Sequence, residues 1–332
     1  MKIAINGFGR IGRSVFKIAL ERGFNIVAIN DVHGTEDARY FLKFDSIYGF
    51  YNKKVKVDKD NIIVDGKKIK VKNERDNYKL PWKEMGIDVV IESTGVFIDR
   101  KSCLKHIERG TKYVILTAPA KENKLDITIV PGVNHNKLKK EHRLISVASC
   151  TTNCLAPILK VLNEKFGINR ALMTTIHAYT NDQNIHDSSH KKVRRGRAAG
   201  LNIIPTTTGA ADSVIEVMPD LLGKINGLAV RVPVAIGSLI DLVAELKSKF
   251  DIKTVNNEFK KASKSELKGI MEYSEEEIVS SDVIRNPHST IIDGLSTQKD
   301  GNLVKVLAWY DNEYGYSNRV VDVLAMIEKW NK

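Results

Sequence analysis

The sequence predicts an α/β protein of two domains. The N-terminal domain is expected to be a doubly wound parallel sheet, and the C-terminal domain an α+β unit on a mixed or antiparallel sheet. Three observations support this prediction. The chain has 332 residues, more than one domain of common size holds. Short apolar runs alternate with helix-like segments up to about residue 150, and longer runs of alternating polarity follow one another after it.

The N-terminal half begins with a strand, a glycine-rich turn and a helix. MKIAI is an apolar strand, and RSVFKIALERG has apolar residues at helical spacing before Gly23, which ends the helix. Further runs of strand length are closed by turn residues: NIVAIN, IDVVIESTG, YVILTAP and DITIVPGVN. Strands that are apolar on both faces and alternate with helices predict a parallel sheet over residues 1–149.

The second predicted domain spans residues 150–313. It opens with one helix from Thr151 to about Phe166. Longer strands with alternating polarity follow: ALMTTIHAY, INGLAVRVPV, SLIDLVAELK, STIIDGL and NLVKVLAWYD. Few helices separate them, so a largely antiparallel or mixed sheet is expected. The last segment, residues 314–332, returns to helical periodicity and is predicted to pack back on the first domain.

Composition and charge narrow the classes of function. Of the residues, 42% are hydrophobic and 28% charged, as in ordinary globular proteins. No apolar run approaches the ~20 residues that span a bilayer, and the chain starts with a strand pattern instead of a signal peptide. We therefore expect a cytoplasmic protein without a membrane partner. The net charge of +12 comes from lysines spread along the chain, so nucleic acid is not expected as the primary partner.

The glycine-rich turn is the first motif with a chemical reason behind it. Gly7, Gly9 and Gly12 lie between a predicted strand and a predicted helix, as a dinucleotide site requires. Gly7 permits the tight turn, Gly9 lets a pyrophosphate approach the backbone, and Gly12 allows close packing of helix on strand. Asp31, at the end of the second strand, is placed to bind the ribose hydroxyls of NAD. The alternative is a structural glycine turn beside an exposed aspartate.

Cysteine usage excludes a disulfide framework and leaves one thiol of interest. Cys103, Cys150 and Cys154 are too few and odd in number for paired bridges, and no pair lies at zinc-ligand spacing, so no metal is expected. Cys150 lies in SVASCTTNCL, where the last strand of the first domain gives way to a helix. A single cysteine is ordinarily a small buried hydrophobe. Here its polar neighbours and the helix start favour a thiolate, with a lowered pKa.

Several motifs together resemble one known family. INGFGRIGR, ESTG, ASCTTNC, TTIHAYTNDQ, IIPTTTGAA, RVP and WYDNEYGYS are similar to stretches of the phosphorylating glyceraldehyde-3-phosphate dehydrogenases, in the same order over essentially the whole chain. The resemblance implies a Rossmann-type NAD-binding domain, a catalytic domain and a homotetramer. It also implies phosphorylating oxidation of D-glyceraldehyde 3-phosphate to 1,3-bisphosphoglycerate, through a cysteine thiohemiacetal and thioester.

The resemblance gives each matching residue a role. Cys150 is the nucleophile and His177 its base. The cofactor-binding residues are Gly7, Gly9, Arg10, Ile11, Gly12, Asp31, Arg75, Ser93, Thr117, Asn312 and Tyr316. The substrate's own phosphate falls to Thr180, Asp182 and Arg231. The attacking inorganic phosphate falls to Ser149, Thr151, Thr208 and Gly209, with Arg195 nearby.

The resemblance also refines single contacts. The backbone of Arg10 and Ile11 is expected to donate to the pyrophosphate, Asn312 to hold the nicotinamide carboxamide, and Tyr316 to pack beside that ring. The basic segment HKKVRRGR, residues 190–197, would suit nucleic acid if taken alone. In the family it matches an ordered loop near the cofactor of a neighbouring subunit, and this is the preferred interpretation.

Three alternatives remain at the sequence level. Erythrose-4-phosphate dehydrogenase shares the cysteine, the histidine and the fold, and a binding protein could use the basic surface without catalysis. Two residues give opposite indications for the choice between NAD and NADP. Asp31 repels the extra phosphate of NADP, whereas Ser189 offers a hydroxyl to that phosphate. Val32 lacks the second hydroxyl of dual-specificity relatives, so NAD is preferred. The chain departs from the family pattern at RVPVAIGS, at Asp212 and at Gly196, which is expected to loosen the basic loop.

Overall fold

The computed structural model describes residues 1–122 and 124–331, the side chain of residue 331 excepted. The chain divides into two compact units. The N-terminal unit comprises Met1–Ile129, Asn136–Ala148 and Ser317–Lys332, and the C-terminal unit Val130–His135 and Ser149–Tyr316. No helix among the described residues is long and apolar enough to cross a membrane.

The N-terminal unit is built on one sheet with the strand order β3-β4-β5-β2-β1-β6-β7-β9-β8. Its strands are β1 Ile3–Asn6, β2 Ile26–Asn30, β3 Val55–Asp58, β4 Asn61–Val64, β5 Lys67–Lys72, β6 Val89–Glu92, β7 Tyr113–Leu116, β8 Ile127–Thr128 and β9 Leu144–Ser146. Its helices are α1 Arg10–Glu21, α2 Gly34–Lys43, α3 Trp82–Met85 and α4 Arg100–Glu108.

Seven neighbouring strands of this sheet pair in parallel, as predicted for this domain, in the order β5-β2-β1-β6-β7-β9-β8. Two further strands, β3 and β4, extend one edge and pair antiparallel, and the sequence analysis did not predict them. Their cause is local. Asp65 and Gly66 both have positive φ, 48° and 86°, which gives the two-residue turn typical of a hairpin between β4 and β5. The confirmed α/β class therefore includes a mixed sheet.

Two predicted elements differ in extent. Helix α1 begins at Arg10, three residues before the predicted start, because Gly9, whose backbone is extended, is already the N-cap. It ends as predicted, with Gly23 at φ +81° and a hydrogen bond of 2.9 Å from the backbone N of Phe24 to the carbonyl of Ala19. The run DITIVPGVN forms only the two-residue strand β8, since the chain turns at Pro131 and Gly132.

The C-terminal unit is built on a second sheet with the order β11-β12-β10-β13-β16-β15-β14. Its strands are β10 Ile168–Ala178, β11 Ile204–Thr207, β12 Ile225–Val232, β13 Ser238–Leu246, β14 Met271–Ser274, β15 Thr290–Asp300 and β16 Leu303–Tyr310. Its helices are α5 Cys150–Phe166, α6 Ala210–Val217 and α7 Ile252–Lys264. Helix α8, Tyr314–Glu328, belongs from Ser317 onward to the N-terminal unit. Parallel and antiparallel pairs occur together, which confirms the predicted mixed sheet.

Alternation along the strands gives this second sheet one buried and one open face. Met173 and Thr175 of β10 are buried on the side against which α5 packs, whereas Leu172 is 67% exposed on the opposite side. Leu228, on the neighbouring strand β12, is 45% exposed. The strand ends that carry the candidate catalytic groups are thus held by a helix-covered sheet. Its other face carries exposed leucines together with the Asp241–Lys305 ion pair.

Candidate active site

Three glycines shape the start of α1 in the N-terminal unit. Gly7 has φ +90°, and a Cβ there would fall 2.5 Å from the backbone N of Thr94. A Cβ on Gly12 would fall 2.1 Å from the carbonyl oxygen of Gly7, so strand and helix pack without room for a side chain. Gly9 has open space beside it, which leaves the helix N-terminus accessible to an anion. Each glycine thus has the surroundings that its predicted role requires.

A cleft of about 410 Å³ opens beside this turn. Five predicted cofactor residues line it: Gly7, Gly9, Asp31, Arg75 and Ser93. Ile11 and Thr117 are not among the lining residues, and the Thr117 hydroxyl donates to the carbonyl of Glu92 at 3.1 Å. Seven further lining residues had no predicted role, namely Phe8, Asn30, His33, Glu74, Thr94, Val96 and Phe97. They follow or end strands, but only the fold brings these strand ends together.

Asp31 is held rigidly at the wall of the cleft. One carboxylate oxygen accepts the backbone N–H of Phe8 at 2.9 Å, and the other accepts that of His33 at 3.0 Å. These bonds orient the carboxylate and leave further lone pairs for a ligand. Val32 lies next to it in the lining and is 36% exposed.

Arg10 has its guanidinium directed to a carboxylate. Its Nη1 donates to Asp45 at 2.8 Å, and the side chain lies over the ring of Tyr48. Burial acts to raise the pKa of Asp45, but the N–H groups of Tyr48 and Ile47 and the Arg10 charge outweigh it and lower that pKa. The predicted contact through the Arg10 backbone is compatible with this arrangement.

A buried polar chain runs beneath the cleft. Trp82 Nε1 donates to His106 Nδ1 at 3.0 Å, and His106 Nε2 lies 3.0 Å from Glu92. Since an indole can only donate, the His106 proton is assigned to Nε2 and points to the carboxylate. Glu92 also accepts from Asn6 at 2.6 Å and from the backbone and hydroxyl of Thr94 at 2.9 and 2.5 Å. No part of this chain was anticipated from the sequence.

In the C-terminal unit, Cys150 is the first residue of α5. The Ser149 hydroxyl caps the helix by accepting the N–H of Thr152 at 3.1 Å. Ala148, just before, has φ +51°, a rare conformation for alanine that marks a sharp turn ahead of the thiol. Cys150 is partly exposed, and its Sγ lies 3.6 Å from Nε2 of His177. The predicted nucleophile and base are therefore in contact.

The imidazole of His177 is held by the end of β10. Its Nδ1 lies 2.7 Å from the carbonyl oxygen of Ala178, and Arg231 Nη1 lies 2.8 Å from both. We assign the proton to Nδ1, because that carbonyl can only accept; Arg231, which can only donate, then bonds the carbonyl and not Nδ1. Nε2 then presents a lone pair to the Cys150 thiol.

Burial and the Arg231 charge determine the protonation of this pair. Burial and then Arg231 lower the pKa of His177 to about 3, so the imidazole is neutral at pH 7. Burial raises the pKa of Cys150, whereas Arg231 and the hydrogen bonds of Thr151 lower it in part. The sequence predicted a lowered thiol pKa from the helix start. Burial of the thiol raises that pKa instead, and its effect outweighs those of Arg231 and Thr151.

Thr151 is tied into the interior. Its hydroxyl lies 3.0 Å from the hydroxyl of Tyr310, which also lies 2.8 Å from that of Thr175. The Tyr310 ring meets the edge of His177 with ring centroids 5.9 Å apart. Tyr310 and Thr175 were not predicted. They fix Thr151 and support the imidazole from one side.

Two of the residues predicted to bind anions, Asp182 and Arg195, are in direct contact. Arg195 also donates from Nε to Thr206 at 3.0 Å and from Nη2 to the carbonyl of Thr207 at 3.1 Å, directly before Thr208, so it lies near a predicted residue of each anion site. Thr180 supplies only a backbone contact, to the N–H of Gln183. Gly209 precedes α6, and Thr208 accepts the N–H of Ala210 at 3.2 Å.

The basic loop is tight where it was expected to be loose. A Cβ on Gly196 would fall 2.3 Å from the carbonyl of Ser188, and the N–H of Ser188 donates to the carbonyl of Gly196 at 2.9 Å. Glycine is thus required by close packing across the loop. Asp212 is exposed on α6, and nothing in the structure explains its departure from the family pattern.

The residues predicted to contact the nicotinamide are both buried. Asn312 is 6% exposed and Tyr316 is 4% exposed. The side-chain oxygen of Asn312 accepts from the backbone of Gly237 and from the hydroxyl of Ser238. Among the described residues, no group of three or more His, Cys, Asp or Glu side chains could hold a metal ion.

A dinucleotide cleft at a glycine turn and a cysteine–histidine pair at a helix start define a class of protein, the nucleotide-dependent oxidoreductases that work through a thiol. Two family models make the class specific. Residues 1–100 match the glyceraldehyde 3-phosphate dehydrogenase NAD binding domain, and residues 149–312 match its C-terminal domain. The chain belongs to the glyceraldehyde-3-phosphate dehydrogenase family.

Individual relatives agree over nearly full length. The chain is 54% identical to glyceraldehyde-3-phosphate dehydrogenase of Borreliella burgdorferi, covering 99% of this chain and 100% of that protein. It is 53% identical to glyceraldehyde-3-phosphate dehydrogenase 2 of Bacillus subtilis, covering 98% and 96%. The chain is also 53% identical to glyceraldehyde-3-phosphate dehydrogenase of Geobacillus stearothermophilus, with 98% of each chain covered. The predicted family, dehydrogenase function and NAD cofactor are confirmed.

Proposed function

We propose that this chain carries out the phosphorylating oxidation of glyceraldehyde 3-phosphate through a covalent intermediate on Cys150. The observation that carries the proposal is the 3.6 Å contact between Cys150 Sγ and His177 Nε2 at the start of α5. The neutral imidazole can accept the thiol proton as sulfur attacks the aldehyde carbon. The C=O bond becomes an alkoxide, and the product is a thiohemiacetal. The backbone N–H of Cys150 and the newly protonated imidazole are donors for that alkoxide. The imidazole then gives its proton to the alkoxide, which forms the thiohemiacetal hydroxyl and leaves His177 neutral again.

The cofactor site fits NAD on the observations within the N-terminal unit. The open space at Gly9, where no described side chain caps α1, and the oriented Asp31 carboxylate match a pyrophosphate and a ribose diol. Bound NAD supplies the acceptor for the hydride that leaves the thiohemiacetal carbon. His177 takes the hydroxyl proton in the same step, which leaves a thioester on Cys150.

Phosphate then resolves the thioester. An oxygen of inorganic phosphate attacks the acyl carbon, the C–S bond breaks, and an acyl phosphate is the product. The departing Cys150 sulfur takes back the proton held by His177, which restores the thiol and the neutral imidazole. Hydroxyl and backbone donors suited to a phosphate are present at Ser149 and at Thr208 and Gly209. Arg231 keeps a buried Nε without a hydrogen-bond partner among the described residues, a donor that the phosphate of the substrate can take.

We propose a homotetramer, supported by the open face of the second sheet. Leu172 and Leu228 lie on this face beside Val243 and Leu307, and an apolar sheet face of this kind is ordinarily covered. The aromatic side chains of Tyr40, Phe44 and Phe50 form a second exposed apolar group. A cytoplasmic location remains our proposal, in keeping with three free cysteines.

The test is NADH formation from glyceraldehyde 3-phosphate with and without inorganic phosphate. We expect sustained turnover only with phosphate, and lower kcat/KM with erythrose 4-phosphate or unphosphorylated glyceraldehyde. Cys150→Ser should abolish turnover, whereas Cys154→Ser, at a buried cysteine in the same helix, should retain most of it. Turnover in the Cys150 variant, or equal use of all three aldehydes, would refute the proposal.

A further inference from the structure

The side-chain amide of Asn312 is fixed by two donors at the start of β13. Its Oδ1 lies 3.2 Å from the backbone N of Gly237 and 3.0 Å from the hydroxyl of Ser238. A backbone N–H can only donate, so the atom facing Gly237 must be the oxygen of the amide. The NH₂ end therefore points away from these two donors and is the half of the side chain left for a ligand.

The hydroxyl of Ser238 both accepts and donates a hydrogen bond. Its Oγ accepts the backbone N–H of Ala178 at 3.2 Å, so its single proton is directed to Asn312. Ser238 is 2% exposed and Ala178 fully buried, which keeps water from replacing either bond.

The peptide of Ala178 links this contact to the catalytic histidine. Its carbonyl accepts from His177 Nδ1 and from Arg231, while its N–H donates to Ser238. One short backbone segment at the end of β10 therefore orients the imidazole from one side and, through one hydroxyl, the amide of Asn312 from the other.

We propose that Ser238 is a positioning residue for the nicotinamide. Its hydroxyl holds Asn312 in the rotamer that presents the NH₂ group to the carboxamide oxygen of bound NAD, in register with His177. This inference rests on the proposed function, in which Asn312 binds that carboxamide. Removing the hydroxyl leaves the Ala178 N–H unpaired and allows the Asn312 amide to turn.

The test separates the nicotinamide from the rest of the cofactor. Dissociation constants of NAD and of ADP-ribose, which lacks nicotinamide, are measured by calorimetry for the parent, Ser238→Ala and Ser238→Thr. The matched control is Ser263→Ala on α7, where the hydroxyl bonds only the carbonyl of Lys260. We expect Ser238→Ala to bind NAD about tenfold more weakly with ADP-ribose unchanged within about twofold, and Ser238→Thr to recover NAD binding.

A second readout follows the face of the ring. With glyceraldehyde 3-phosphate deuterated at the aldehyde carbon, the parent should place deuterium on one face of NADH, and Ser238→Ala on both faces in detectable amounts by NMR. Equal weakening of NAD and ADP-ribose, or unchanged NAD binding, would overturn the positioning role. A parent enzyme that binds NAD but forms no NADH would instead refute the proposed function, whatever Ser238 does.

Discussion

At the scale of single residues, the chemistry depends on a thiol and an imidazole. The residues around each of them in the sequence do not predict that the two are in contact. His177 follows Cys150 by 27 positions, and only the pairing of a helix start with the end of β10 brings Sγ and Nε2 to 3.6 Å. The resemblance to a family supplied the pair in advance. The carbonyl of Ala178 and the Arg231 guanidinium, which orient the imidazole, had no pattern in the sequence to reveal them.

Removing the base should slow both the alkylation of the Cys150 thiol and the catalysed oxidation. His177→Asn is expected to lower kcat by about 10²- to 10⁴-fold, because no other described residue that contacts Sγ is a base for the thiol proton. Alkylation of Cys150 by iodoacetamide at pH 7 should slow in parallel, since no imidazole remains to take the thiol proton as sulfur attacks. His142→Asn is the control, as that ring only accepts the N–H of Lys139. Unchanged alkylation in the His177 variant would exclude its role as base.

Cofactor choice is also a matter of single residues. Asp31 should repel the extra phosphate of NADP, and we expect kcat/KM to favour NAD by about 10- to 1000-fold. Val32→Thr places a hydroxyl at the cleft and should narrow that ratio, whereas Val279→Thr, at an exposed site in the other unit, should not. Steady-state kinetics with both cofactors decide it. A parent enzyme whose kcat/KM with NADP equals or exceeds that with NAD would contradict the role given to Asp31.

At the scale of elements, the sequence predicted those parts whose cause is local. The glycine turn and α1, the capped helix α5 and the long strands of the second sheet follow from periodicity, capping and turn residues. The hairpin of β4 and β5 could have been predicted, because Asp65-Gly66 is a hairpin signal between two strand-like runs. The buried chain from Trp82 to Glu92 was out of reach, because it joins α3, α4 and β6 across the fold.

That buried chain makes a stability prediction. Glu92→Gln keeps the shape but replaces one oxygen by NH₂, which then faces either His106 and Asn6 or the backbone N–H of Thr94, all donors. His106 cannot adapt by moving its proton, since Nδ1 already accepts from Trp82. We expect the free energy of unfolding to fall by about 3 kcal/mol or more. Denaturant titration measures it, with exposed Glu84→Gln as control, and equal stability of the two variants would contradict the assignment.

At the scale of the whole molecule, each unit has a buried core, and the second also has a sheet face on which Leu172 and Leu228 are exposed. If this face joins subunits, Leu172→Asp with Leu228→Asp should lower the mass measured by light scattering at micromolar concentration from that of a tetramer to that of a smaller species. Leu222→Asp, an equally exposed leucine outside the sheet, should leave the mass unchanged. A parent that is monomeric at this concentration would contradict the proposed assembly.

The central claim is that the reaction passes through a thioester on Cys150 that phosphate resolves, and one experiment tests it most directly. Enzyme, NAD and glyceraldehyde 3-phosphate are mixed without phosphate, and NADH release is followed together with the intact mass of the chain. The account predicts a burst of about one NADH per active chain and one acyl adduct on the peptide containing Cys150, with phosphate then removing the adduct and restoring turnover. Steady NADH formation without phosphate, or a burst with no adduct on Cys150, would contradict it.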